Sequence, residues 1–115
     1  MSTTRDSRGA RRGQAGAAAM FRALADETRL RMLRLLIEER TLCVCEVMAA
    51  LGISQTRASR NLTMLCAAGL LRGVRQGRWR HYSVTRNPEL RPLFALVRRR
   101  GPQVAVRKRV KCEER

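Results

Sequence analysis

Histidine is nearly missing from this sequence, occurring once at His81, so imidazole-rich metal sites and histidine-based catalysis are poorly supplied. Acidic residues are scarce as well, 9 against 25 Lys and Arg in 115 residues. Nor does any apolar run approach the ~18 residues that a membrane-spanning helix needs. The longest candidate, AGAAAMF at Ala15 to Phe21, is soon interrupted by Arg22 and Asp26 and is expected to be too short for a secretory leader. A cytoplasmic protein is expected. In that compartment the four cysteines, Cys43, Cys45, Cys66 and Cys112, are expected to be thiols, ligands or sensors and not a disulfide scaffold. The length suits one domain with a core, and hardly two.

The charge imbalance leaves a formal net charge of +16, which attracts polyanions, most simply nucleic acid. A GC-rich coding sequence would also favour arginine, and all but two of the basic residues, Lys108 and Lys111, are arginine. Their distribution favours a binding role. Arg5, Arg8, Arg11 and Arg12 crowd one end of the chain, and Arg98, Arg99, Arg100, Arg107, Lys108, Arg109 and Lys111 crowd the other. Residues 1–16, with no apolar periodicity, read as a flexible basic arm, residues 17–100 as the folded domain, and residues 101–115, from Gly101-Pro102 on, as a flexible basic tail.

Within the domain, a first helix is expected from about Ala17 to Leu24. Asp26 can cap a second helix beginning at Glu27, with Leu30, Met32, Leu33, Leu36 and Ile37 on one stripe and Arg31, Arg34 and Glu38 opposite. Thr41 offers a cap for a third helix, which Leu51-Gly52-Ile53 breaks with the residue type that tolerates positive φ. Ser54 then caps a fourth. Helix, glycine-containing turn and helix outline a helix-turn-helix. On the fourth helix Ala58, Asn61, Leu62 and Leu65 gather on one side, while Gln55, Thr56, Ser59, Arg60 and Thr63 point away. Short polar side chains near the start of such a helix can reach base edges in a major groove, and Arg57 or Arg60 can hold phosphate or guanine. An ordinary solvated helix face would have the same composition.

The run LLRGVRQGRWRHYSV reads as a β-hairpin about a tight turn at Gln76-Gly77, carrying Arg72, Arg75, Arg78 and Arg80. A basic hairpin after a helix-turn-helix is a wing suited to phosphate contact. Trp79 and Tyr82 are expected to pack at the hairpin base, and His81 to be an ordinary strand residue. A last helix, entered through Asn87-Pro88, carries Leu90, Leu93, Phe94, Leu96 and Val97, more apolar surface than one small domain easily covers. The expected fold is mostly α with a small β-hairpin, a winged helix-turn-helix in the order α-α-α-α-β-β-α.

TLCVCEVM, residues 41–48, holds two cysteines one residue apart. Helical residues i and i+2 lie about 200° apart, so with both inside the third helix they could join only if it gave way. Two small packing residues would not occupy opposite faces. The helix start is where fraying costs least, because its hydrogen bonds are incomplete, and thiolates are the soft metal ligands available to a protein. An enzyme is not expected: a C-x-C with no neighbouring histidine offers little for catalysis.

ALADETRLRMLRLL, TLCVCEVMAALGISQTRASRNLTMLCAAGLL and RQGRWRHYSV together resemble the ArsR/SmtB family of winged-helix, metal-responsive repressors, over about residues 17–98, and CVC resembles its arsenite-sensing branch. The resemblance implies a homodimer built from the first and last helices, bound to a palindromic double-stranded operator with no cofactor and released when As(III) or Sb(III) binds. It implies Ser54, Gln55, Thr56, Ser59 and Arg60 as DNA readers, with Arg57 and the wing's Arg75 and Arg78 as further contacts, and Cys43 and Cys45 as metalloid ligands. Cys112 is a candidate third donor, beside Cys66 and an external thiol or solvent. Where many arsenite sensors of this branch carry a third cysteine, this chain has Met48; the family's usual histidine in the reading helix is Asn61. The last helix lacks the Asp and His ligands of zinc-sensing relatives. A redox-sensing repressor using the same cysteines, and a nonspecific basic nucleic-acid binder, are the rival functions.

Overall fold

The structure is a computed structural model that describes residues 16–104. The basic arm up to residue 15, and the tail from residue 105 with Cys112, lie outside the described residues. Helix α1 spans Ala17–Leu24 and α2 Glu27–Glu39. Asp26 caps α2 as expected, its carboxylate accepting the Arg29 N–H at 3.0 Å. This satisfies one of the donors that every helix start leaves open. Two-residue strand β1, Leu42–Cys43, precedes α3, Val44–Leu51. Gly52 ends α3 in the left-handed region at φ 67, ψ 41, where a side chain would be strained. Ser54 caps α4, Gln55–Ala67, accepting the Arg57 N–H at 3.1 Å.

Strands β2, Leu71–Gln76, and β3, Trp79–Val84, form the hairpin. The loop is Gly77-Arg78, closed by the pair Gln76↔Trp79, one residue later than the sequence suggests. Gly77 has φ 65, and the first loop position of a mirror-type hairpin turn needs that sign. Trp79 therefore stands at the hairpin tip and not at its base. Tyr82 does pack against the core. The sheet is three-stranded, in the order β1-β3-β2 and antiparallel throughout, with Leu42↔Tyr82 and Cys43↔His81 joining β1 to β3. A 3-10 turn, Pro88–Leu90, leads into the last helix, α5, Arg91–Arg100. Pro92 is tolerated at the second helical position, where its missing N–H would have no partner anyway.

Helix α2 is the hub, packed against α5, β3 and α4. Being covered on several sides, it buries Met32, Leu33, Leu35 and Leu36; Leu35 lies outside the stripe that a one-sided helix would bury. The core continues through Val47 of α3, Ala58, Leu62 and Leu65 of α4, then Leu70 and Leu71. Each fully buried leucine contributes about 1.5–3 kcal/mol by leaving water. Outside this core, Phe21 of α1 and Leu96 of α5 remain exposed, at 62% and 51%.

Candidate functional site

Helix α4 divides as its sequence suggests. Ala58, Asn61, Leu62 and Leu65 are buried, whereas Gln55, Thr56, Arg60 and Thr63 are exposed and Ser59 is half-buried. Gln55, Thr56, Ser59, Arg60, Thr63 and Met64 line one open concave surface along the helix. Arg57 is also exposed, but its guanidinium turns back to α2 and donates to the Thr28 hydroxyl at 3.0 Å. Beside α4 stands the hairpin with Arg72, Arg75, Arg78 and Arg80 all exposed. Arg75 and Arg80 are direct cross-strand partners, an arrangement of like charges that costs stability and concentrates positive potential where a polyanion would relieve it.

The two cysteines of CVC fall on either side of a structural boundary. The sequence suggests a helix capped at Thr41 with both inside it; instead Cys43 is the cap residue, extended at φ −94, ψ 174, and Cys45 is the second residue of α3. Pairing of Leu42 and Cys43 with β3 holds this segment in the sheet until Val44. The Glu46 carboxylate accepts the Cys43 N–H at 2.9 Å, a side chain three residues on reaching back to the cap. Cys43 is buried at 2% exposure, and Cys45 is half-buried with a free thiol. Bringing the two sulfurs together thus does not require an intact helix to break between them, because the helix begins after the first.

Cys66, the alternative third donor in the fold, is a half-buried free thiol close enough to Arg80 and Tyr82 to feel or exert charge on them. Burial pushes its thiol up, and the Arg80 guanidinium pulls it partly back. The Tyr82 phenol is likewise raised by burial and by a Cys66 thiolate, against the pull of Arg80. Among the described residues no three His, Cys, Asp or Glu side chains converge on a possible metal position, so Cys66 does not complete a site with the CVC pair. Trp79 Nε1 is buried with no hydrogen-bond acceptor among the described residues.

Two contributors, Glu46 and Arg29, were not expected from the sequence. Glu46 has a legible signal, a carboxylate three residues after the true cap. Arg29 has none, because its partners are distant in sequence. Its Nε donates to the Ala23 carbonyl at 2.7 Å, and its Nη1 to Asn61 Oδ1 at 3.0 Å and to the Met64 sulfur at 3.4 Å.

An exposed polar helix after a glycine turn, flanked by a basic hairpin on a helical core, defines a winged helix-turn-helix regulator. The model of the bacterial regulatory protein, arsR family, matches residues 26–72. Over 66 residues the chain is 47% identical to the arsenical resistance operon repressor of Escherichia coli K12, covering 57% of this chain and 56% of that one. Its fold is similar to the homodimeric winged helix-turn-helix DNA-binding domain of a possible ArsR-family regulator from Mycobacterium bovis, with a TM-score of 0.63 and 35% identity over 70% of this chain and 72% of that chain. It is also similar to the AntR antimony-specific transcriptional repressor, with a TM-score of 0.60 and 33% identity over 69% and 70% of the two chains. The chain belongs to the arsR family, one of transcriptional regulators and not of enzymes. The chain spans a little over half the length of the curated relatives it matches, 54–60% for three arsenic-resistance regulators. Among the described residues no helix is long and apolar enough to cross a membrane.

Proposed function

We propose that this chain is a metalloid-responsive repressor, which binds a palindromic operator as a homodimer and leaves it when As(III) or Sb(III) is taken up by Cys43 and Cys45. The observation that carries the reading is the position of Cys43, which is at once the cap of α3 and the cross-strand partner of His81 in β3. Helix α3 supports α4 through the Gly52 turn, and β3 is one arm of the wing. A metalloid that draws the Cys43 sulfur toward Cys45 therefore strains the supports of both DNA-contacting elements. For each hundredfold loss of operator affinity it must bind the DNA-free form about 2.7 kcal/mol more tightly.

Ser54, Gln55, Thr56, Ser59 and Arg60 are the base-edge and phosphate contacts of α4 in this reading, and Arg75 and Arg78 are the wing's phosphate contacts; Arg57 braces the helix from behind. Phe21 and Leu96, exposed on α1 and α5, are suited to cover each other's copies in a dimer, as the homodimeric Mycobacterium bovis domain supports. The named specificities of the arsenical and antimony repressors support the choice of effector. The third donor is Cys112, outside the described residues, or an external thiol or solvent.

A second reading uses the same two cysteines, Cys43 and Cys45: operator release by thiol oxidation. Fluorescence anisotropy of a labelled operator separates the two. With the chain reduced by a phosphine, arsenite or antimonite should release it at micromolar concentrations and diamide should not be needed. Release by diamide with none by either metalloid would establish the redox reading instead.

A further inference from the structure

Asn61 is the one buried polar side chain among the described residues, at 8% exposure. Both ends of its amide are used: Oδ1 accepts from Arg29 Nη1 at 3.0 Å, and Nδ2 donates to the Arg57 carbonyl one turn back in α4 at 2.9 Å. Arg29 in turn donates through Nε to the Ala23 carbonyl at 2.7 Å, in the last turn of α1. That is the negative end of the helix, where a cation is favoured. A guanidinium is planar and its donors are fixed in a fork. One rigid group thus joins the end of α1, the start of α2 and the middle of α4, and Arg57 to Thr28 adds a second tie between α4 and α2.

We propose that Arg29 and Asn61 are positioning residues for operator binding, a strut that sets the angle of the reading helix α4 against α1, the helix assigned to the dimer interface. The inference rests on the DNA-binding reading above and deepens it. In a two-fold dimer the two reading helices must meet grooves about 34 Å apart. A strut between the interface helix and the reading helix therefore selects half-site spacing, a property that no base contact determines. Truncating a buried hydrogen-bonded pair costs stability anywhere in a protein, so the diagnostic readout is spacing.

The probe is a duplex selected from random DNA by the wild-type full chain, together with versions carrying one or two base pairs inserted between its half-sites. Asn61→Leu removes both amide bonds while keeping the same branched heavy-atom shape, and Arg29→Lys keeps the charge without the fork. Each should lose about tenfold or more, about 1.4 kcal/mol, on the selected duplex and much less on the respaced ones, so that the preference for native spacing shrinks. Neutral imidazole has one acceptor and one donor nitrogen, so Asn61→His should restore the preference. This holds the proposal to account even if Asn61→Leu fails to fold by thermal melt. Equal losses on native and respaced duplexes in Arg29→Lys, or an unchanged spacing preference while Gln55→Ala abolishes binding, would overturn the strut alone. Wild-type affinity in a Gln55→Ala Arg60→Ala variant would overturn the reading-helix assignment beneath it.

Discussion

Arg40 ends α2 at φ 73, ψ −70, and the Thr41 N–H donates across it to the Glu39 carbonyl at 2.9 Å. This is the three-residue turn in its strained form, and Arg40 is the only non-glycine residue with positive φ among the described residues. Such a residue stores about 1–3 kcal/mol. Glycine would relieve most of that and give back roughly 0.5–1 kcal/mol through the greater freedom of its unfolded chain. Arg40→Gly should therefore raise the unfolding free energy by about 0.5–2 kcal/mol. Arg40→Ala is the control, because it removes the same exposed charge and retains the strain; it should stay within about 0.5 kcal/mol of wild type. Urea denaturation followed by far-UV circular dichroism compares the two, provided the m values agree. A glycine variant no more stable than the alanine variant refutes the strain argument.

Three other outcomes follow from the site. Gln55→Ala or Arg60→Ala should weaken operator binding by about 1–3 kcal/mol if each reads a base edge, and an equal loss on scrambled DNA would reduce them to backbone contacts. The Arg75→Ala Arg78→Ala double variant should make the dependence of log affinity on log salt shallower by roughly 0.9 for each phosphate contact removed; an unchanged slope would leave the wing out of the interface. Because burial raises the Cys66 thiol above its ordinary 9.0, the fold favours its protonated form, and that contribution to stability is present below the ordinary value and lost as pH rises through the raised one. Iodoacetamide labelling of Cys66 should accordingly show a midpoint above 9.0, moved higher by Arg80→Gln, and a midpoint at or below 9.0 contradicts the assignment.

Local signals in the chain carry much of this fold. Asp26 and Ser54 cap the helices they were expected to cap, Gly52 breaks where positive φ is needed, and the buried side of α4 is the one its periodicity gives, because each depends on residues within a turn or two. What escapes is nonlocal. Strand β1 has only two residues and exists because β3, nearly forty positions later, pairs with it. That pairing moves the cap from Thr41 to Cys43 and changes the relation of the two cysteines. Leu35 is buried because α2 is surrounded, a property of the assembled domain. The Arg29–Asn61 bond joins residues 32 positions apart, so neither side chain announces its partner. The resemblance marks Asn61 only as a departure from the family's pattern; in the fold it is a buried amide hydrogen-bonded at both its oxygen and its nitrogen.

In the proposed function Cys43 and Cys45 sense the metalloid, and neither sulfur is needed for folding or operator binding. The Cys43→Ser Cys45→Ser double variant tests it most directly, with operator binding followed by fluorescence anisotropy in a phosphine reductant, with and without arsenite. A folded dimer that binds the operator as tightly as wild type and is no longer released by arsenite is the predicted result. Release of the double variant at the wild-type arsenite concentration would contradict the account.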